Sequence, residues 1–273
     1  MTRGPASLRF LAGLDADLRQ SLLNQIRDAW THNSTALEGN SLSLGDTKFV
    51  IEEGLTVAGK PVKDHEEVIG HAAAITQIYD LLGRAVTTDD LFALHRSVQA
   101  ERVADIYKPL GAWKAEPNGT YAVDENGAQV FVEYAAPKDV PALTAEVLDC
   151  VNATRLRPDD AGAAEAAPAY ARIHAGFVSI HPFWDGNGRL ARLIANVPLL
   201  NAGLPPLVIP KEERRAYIDT LARYQRRIGR IKPETGAWPA PPELAPFADF
   251  CQRCYATTRR LVDFAFEQQR SRA

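Results

Sequence analysis

Ten residues in the second half of the chain combine the groups that phosphate chemistry needs. They are the run His181-Pro182-Phe183-Trp184-Asp185-Gly186-Asn187-Gly188-Arg189 and, three positions on, Arg192. A histidine such as His181 titrates near neutrality and can accept a proton from an incoming hydroxyl. Asp185 offers hard oxygen atoms of the kind Mg2+ takes when it bridges phosphates. Gly186 and Gly188 around Asn187 let the backbone approach a ligand and turn its N–H groups into an anion-binding nest. Arg189 and Arg192 share one side of a helix, and each can pair bidentately with phosphate oxygens. Pro182 stiffens the turn, and Phe183 is expected to anchor it in the core. Taken singly, each element is commonplace: a structural histidine, a Gly-Asn-Gly turn, a solvated arginine face. Their order within so short a run points to a nucleotide's phosphates.

Helices must deliver this run. Tyr170, Ile173, Phe177 and Ile180 recur at helical spacing before it, and Leu190, Leu193, Ile194 and Val197 do so after it. The run is therefore a helix–loop–helix turn, and Gly186-Asn187-Gly188 opens the second helix, where unpaired N–H groups and the dipole favour anions. Leu18, Leu22, Ile26 and Trp30 recur every four residues and predict a helix over about 15–39, stopped by Gly39. Further helices are expected at 46–53, 64–82, 91–98, from 137 or 139 to 154, at 211–224 and at 244–269. The cluster Thr87-Thr88-Asp89-Asp90 is a good N-cap for the third of these. The Ala-, Asp- and Pro-rich stretch 155–168 reads as a surface loop, and His95 and His174 read as core histidines. Tyr121–Val123 and Gln129–Val132 are β-prone, and Glu125-Asn126-Gly127 between them is a hairpin turn signal. An open hairpin edge is one way to hold an extended peptide. The expected fold class is all-α: a compact helical bundle with one small β-hairpin. Three segments are expected: N-terminal helices over 1–60, a core over 61–230 with the hairpin at about 119–135, and a Pro-rich linker and helix over 231–273.

The 273 residues, 46% hydrophobic and 24% charged, are globular values and suffice for one sizeable core. A net charge of −3 argues against a general nucleic-acid binder. No apolar run approaches the roughly 18 residues of a membrane span, and the N-terminus lacks a secretory core. The three cysteines, Cys150, Cys251 and Cys254, suit a reducing compartment, and Cys251 and Cys254 read as helix-face residues. A cytoplasmic enzyme is the expectation, with neither membrane nor nucleic acid as partner.

The loop matches the pattern His-Pro-Phe-x-(Asp/Glu)-Gly-Asn-(Gly/Lys)-Arg-x-x-Arg at every position through Arg192, and in this the chain resembles the Fic family. The likeness extends from about Trp30 to Tyr224. It implies a compact Fic-type helical domain that transfers AMP from ATP to a Tyr, Thr or Ser hydroxyl of a target protein, with Mg2+. By matching positions His181 would be the general base, Asp185 the metal ligand, and Gly186, Asn187 and Gly188 the phosphate cradle. Arg189 and Arg192 would hold phosphate oxygens. Relatives that phosphorylate instead depart within this loop, and the glycines at 186 and 188 favour AMP transfer. The hairpin would be the flap that docks the target, through Tyr121, Val130, Phe131 and Val132.

The same resemblance gives meaning to Ser34-Thr35-Ala36-Leu37-Glu38-Gly39, which fits the family's inhibitory pattern (Ser/Thr)-x-x-x-Glu-(Gly/Asn). In relatives the glutamate pairs with the second loop arginine, so Glu38 and Ser34 would clamp Arg192 and deny the γ-phosphate its cation. Several readings stay open at this point. The same site could remove AMP from a modified protein, could use another nucleotide such as UTP, or could bind nucleotide as a non-enzymatic sensor. A homodimer is equally open.

Overall fold

Two helical periods meet at the chemistry-bearing loop, and the rest of the chain is built round them. The computed structural model describes residues 8–100, 108–123 and 127–272. Among these, ten α-helices follow one another: α1 (Ala16–Ala36), α2 (Leu44–Glu53), α3 (Val62–Asp80), α4 (Thr88–Val98), α5 (Val140–Ala153), α6 (Asp160–Ile180), α7 (Asn187–Ile194), α8 (Val197–Asn201), α9 (Arg214–Ile228) and α10 (Ala245–Arg270). An antiparallel hairpin of β1 (Gly119–Val123) and β2 (Gln129–Glu133) lies between α4 and α5 in the chain. Among the described residues the fold is helical apart from this hairpin, as the patterning predicts.

Local chemistry sets the ends of the helices. Thr87 caps α4 and Ser43 caps α2, each completed by an aspartate three residues on that reaches back to the cap N–H. Gly54 ends α2 in the left-handed region. The four-residue period of α1 buries Leu18, Leu22, Ile26 and Trp30. That face lies against α3 and α10, while α6 runs along α10 at the centre. One apolar core joins these helices from Leu8 to Ala265, and a smaller cluster of Leu42, Val50 and Val68 fastens α2 to α3. Cys251 and Cys254 are buried free thiols on α10.

The stretch 155–168 departs from expectation. It is not a surface loop throughout: α6 begins at Asp160, capped by the Asp159 carboxylate, which accepts from Gly162 N–H at 3.0 Å. Alanine is the best helix former, and Ala163, Ala166 and Ala167 turn into the core. Their burial continues the apolar face of Tyr170 and Ile173 and outweighs Pro168, which costs a helix interior roughly 3 kcal/mol. The result is a 21-residue helix whose C-terminus is the base of the loop.

In the hairpin, Tyr121 opposes Phe131 and Thr120 opposes Val132. The Tyr121 and Phe131 rings lie 5.2 Å apart on the exposed face with Val123, while Ala122 and Val132 turn inward. The α9 residue Arg226 donates to the Val123 carbonyl and holds β1 to the helix. Of the turn signal, Glu125 and Asn126 lie outside the described residues.

Candidate nucleotide site

The loop is gripped at both ends. Phe177 and Ile180 on α6 and Leu190, Leu193 and Ile194 on α7 are fully buried. Phe183 is buried too, stacked on His95 at 4.1 Å and flanked by Trp113. His95 in turn accepts from Gly111 N–H and contacts the Asp185 carbonyl at 3.2 Å. Burial lowers its pKa to about 4, so it is a neutral structural group. This is the role sequence patterning expects for it. His174, also buried, meets the Tyr217 hydroxyl at 3.1 Å.

His181 sits at the end of α6 with φ 53°, in the left-handed region that few non-glycine residues adopt. Its Nδ1 lies 3.3 Å from the Val178 carbonyl, which can only accept, so Nδ1 carries the proton. In a neutral ring Nε2 is then the free base. Burial and, next, the Lys114 cation push its pKa down to about 4, so the ring is neutral at pH 7. Tyr134 stacks on the imidazole, ring centres 3.9 Å apart and planes parallel to within 1°. Neither Lys114 nor Tyr134 is signalled by the loop motif; they reach it from the segments flanking the hairpin.

Gly186 caps α7 with φ 78°, which a side chain would strain. A Cβ on Gly188 would lie 2.4 Å from Glu38 Oε1, so a glycine is what lets an anion rest on the helix N-terminus here. The Asn187 side chain shapes the loop. It spans the turn, accepting from Phe183 N–H at 2.9 Å and donating to Phe183 O at 2.8 Å. Only the Asn187 backbone N–H remains for a phosphate cradle. Arg189 is buried, donating to Val98 O at 3.1 Å and to Asp185 Oδ2 at 3.3 Å. The Asp185 side chain is 62% exposed. Burial acts to raise its carboxyl, but Arg189 and the Gly186 N–H outweigh it and hold the group below the usual range.

Arg192 is the centre of the second half of the site. Its side chain is 2% exposed. Nε donates to Ser34 Oγ at 2.9 Å, Nη2 to Ser34 O at 2.9 Å and to Glu38 Oε1 at 2.6 Å, and Nη1 to the Tyr217 hydroxyl at 3.1 Å. Ser34 lies in the last turn of α1, and Glu38 lies two residues beyond the helix end, in the turn closed by Glu38 N–H to Thr35 O. Burial acts to raise the Glu38 carboxyl, but Arg192 lowers it more, so the pair is ionic. Ser34 at the end of α1, Glu38 in the turn after it and the second loop arginine are thus in contact.

The candidate docking residues of the hairpin divide in exposure. Tyr121 is 70% exposed and Phe131 50%, and Val130 is exposed. Val132 is buried, so its side chain faces the protein beneath the hairpin. Among the described residues, no group of three or more His, Cys, Asp or Glu is arranged as a metal cage. No described helix is long and apolar enough to cross a membrane.

Residues 85–199 match the Fic/DOC family pattern. The protein adenylyltransferase fic-1 of Caenorhabditis briggsae is 32% identical over 208 residues, 75% of this chain and 37% of that protein. The protein adenylyltransferase Fic of Nematostella vectensis is 32% identical over 237 residues, 85% of this chain and 47% of that protein. The chain therefore spans under half the length of these relatives. A Fic domain-containing signaling protein from Bacteroides thetaiotaomicron superposes with a TM-score of 0.78 at 27% identity, over 96% of this chain and 93% of the other. Fic-1 of Caenorhabditis elegans shares the fold, with a TM-score of 0.71 at 24% identity over 95% of this chain and 69% of that one. With the loop complete from His181 to Arg192 and the likeness running through nearly the whole fold, the chain belongs to the Fic/DOC family.

Proposed function

We propose that this protein transfers AMP from ATP to a hydroxyl of a target protein, and that Glu38 holds it in an inhibited state. The observation that carries the reading is the Glu38 carboxylate, an anion already seated against Gly188 and Arg192 at the N-terminus of α7. Ligand-free helix N-termini with an adjacent arginine bind phosphate well. An internal carboxylate in that place mimics a phosphate and competes with one.

In the active form the backbone N–H groups of residues 186–188 cradle the phosphates, and Arg189 and the freed Arg192 neutralise their oxygens. Asp185 fits Mg2+: it presents an exposed carboxylate beside that cradle, and Mg2+ is commonly held by one or two carboxylates plus substrate phosphates. When bound there, the ion would offset charge on the phosphates and on the leaving group. The flap presents the target segment beside His181. Nε2 takes the hydroxyl proton as the oxygen forms its bond to the α-phosphorus. The bond from that phosphorus to the β-phosphate oxygen breaks, and pyrophosphate leaves. The protein contributes alignment and electrostatics, as is usual for such transfers.

With Glu38 in place ATP lacks a cation for its γ-phosphate, and its α-phosphorus is poorly aligned with Nε2. A misplacement of about an ångström costs on the order of a hundredfold in rate. The test is transfer from ATP labelled separately at the α and γ positions, using a Glu38→Ala variant. Label on protein from α-ATP only supports AMP transfer. Label from γ-ATP makes the enzyme a kinase, and release of AMP from a pre-modified target by the wild type, lost in the variant, reverses the direction.

A further inference from the structure

Lys114 is buried in the irregular chain before the hairpin, 2% exposed, and no motif singles it out. Its backbone N–H donates to Pro182 O at 2.9 Å, and its Nζ donates to Ile180 O at 3.2 Å. These carbonyls flank His181 on either side. Nζ also donates to Asn118 Oδ1 at 2.6 Å, and the Asn118 amide lies 3.4 Å from Phe183 O. The Asn118 carbonyl accepts from Tyr134 N–H at 3.1 Å, and Tyr134 is the residue stacked on His181. One residue therefore links the loop before the histidine, through its side chain, and after it, through its backbone N–H, to both ends of the hairpin.

Two physical points make this more than packing. The left-handed backbone at His181 is unfavourable for an L-residue and persists only where its surroundings over-determine it. Lys114 holds the carbonyl of the residue before it with its side chain and that of the residue after it with its backbone N–H. A buried ammonium is itself costly and is kept where acceptors saturate it. Here it has two oxygens and, at 5.9 Å, the face of Tyr134. Burial lowers the Lys114 pKa to about 7, with the Arg230 cation acting in the same direction. An apolar side chain would fill the space without that cost, so an amine whose Nζ donates to two oxygens points to a use.

We propose that Lys114 is a positioning residue: by holding the Ile180 carbonyl next to His181 with its side chain and tying it through Asn118 to the hairpin, it fixes the imidazole and the docked hydroxyl in one frame. The inference rests on His181 acting as the base. The ionisable groups facing His181 are Lys114, Tyr134, Glu38 and Asp185, and Lys114 is the nearby cation that disfavours a protonated ring.

The test uses Lys114→Met and Lys114→Arg in a Glu38→Ala background, with melting curves to confirm folding. In Lys114→Met we expect kcat to fall on the order of ten- to a hundredfold with the Kd for ATP within about twofold. The acid limb of the kcat profile should also move to higher pH. Lys114→Arg should recover most of both. A kcat within about twofold of the parent overturns the proposal, as does a loss mirrored in ATP binding with the acid limb unmoved. If the Glu38→Ala parent transfers nothing, the proposed function fails by itself. NMR titration of the His181 ring then decides on Lys114: a raised pKa in Lys114→Met supports it, and an unchanged one overturns it.

Discussion

Glu38→Ala should weaken the empty protein and strengthen its hold on ATP, and both magnitudes follow from the surroundings of Arg192. Removing one partner of a fully buried ion pair costs about 3–5 kcal/mol, and of an exposed pair about 0–1 kcal/mol. Here the cation is 2% exposed but the carboxylate is 41% exposed. Three neutral acceptors, Ser34 Oγ, Ser34 O and the Tyr217 hydroxyl, stay with the guanidinium. The cost is then about 2 kcal/mol, a fall in Tm of about 4–8 °C for a chain of this size. In the variant the bare cation can accept a phosphate oxygen, and a hydrogen bond to a charged group contributes about 1.5–3 kcal/mol. That is a gain of roughly ten- to a hundredfold in affinity. The assay is thermal melting of wild type and variant across an ATP–Mg2+ titration, with Kd from calorimetry. The variant should melt lower without ATP and gain more from it. Equal ATP shifts in the two proteins, or no loss in the empty variant, would refute the claim that Glu38 and phosphate compete for Arg192.

Other outcomes follow from the same structure. Burial lowers His181 and His95 to about 4, and also depresses His32, His71 and His174. Between about pH 6.5 and 4 the unfolded chain binds more protons at these sites. Stability is therefore fully present above about 6.5 and is lost as pH falls through that window; equal urea midpoints at pH 7 and pH 5 would contradict it. Gly70→Ala should destabilise by about 1–3 kcal/mol, because its Cβ would lie 2.1 Å from the Ser97 carbonyl where α3 crosses α4. An unchanged melting temperature would show that the helices part at no cost. Phe131→Ala, on the exposed hairpin face, should cost under about 1 kcal/mol of stability while raising KM for a target peptide. An unaltered KM would remove Phe131 from docking.

What was legible in the sequence was whatever is written within a few residues. The loop from His181 to Arg192 was, because its groups are adjacent, and so were α1, whose period is local, and α4, whose cap is local. The start of α6 was not, because Pro168 and the aspartates read as loop signals and only tertiary burial of the alanines overrides them. The role of the Asn187 side chain was not legible either, because spacing says nothing of rotamer; in the fold it bonds back to Phe183. Lys114 and Tyr134 stayed invisible for a different reason. They reach His181 across long stretches of chain, and no periodicity encodes a contact of that kind. Glu38 meeting Arg192 from 154 residues away was reached only through resemblance to a family.

The central claim is that His181 transfers AMP once Glu38 releases the site. Intact-mass analysis after incubation with ATP and Mg2+ tests it most directly, with wild type, Glu38→Ala and Glu38→Ala/His181→Ala compared side by side. The account predicts an AMP-sized mass gain on protein in Glu38→Ala, little in the wild type, and none in the double variant, which should still bind ATP. An equal gain in the double variant, or none in Glu38→Ala with any target offered, would contradict it.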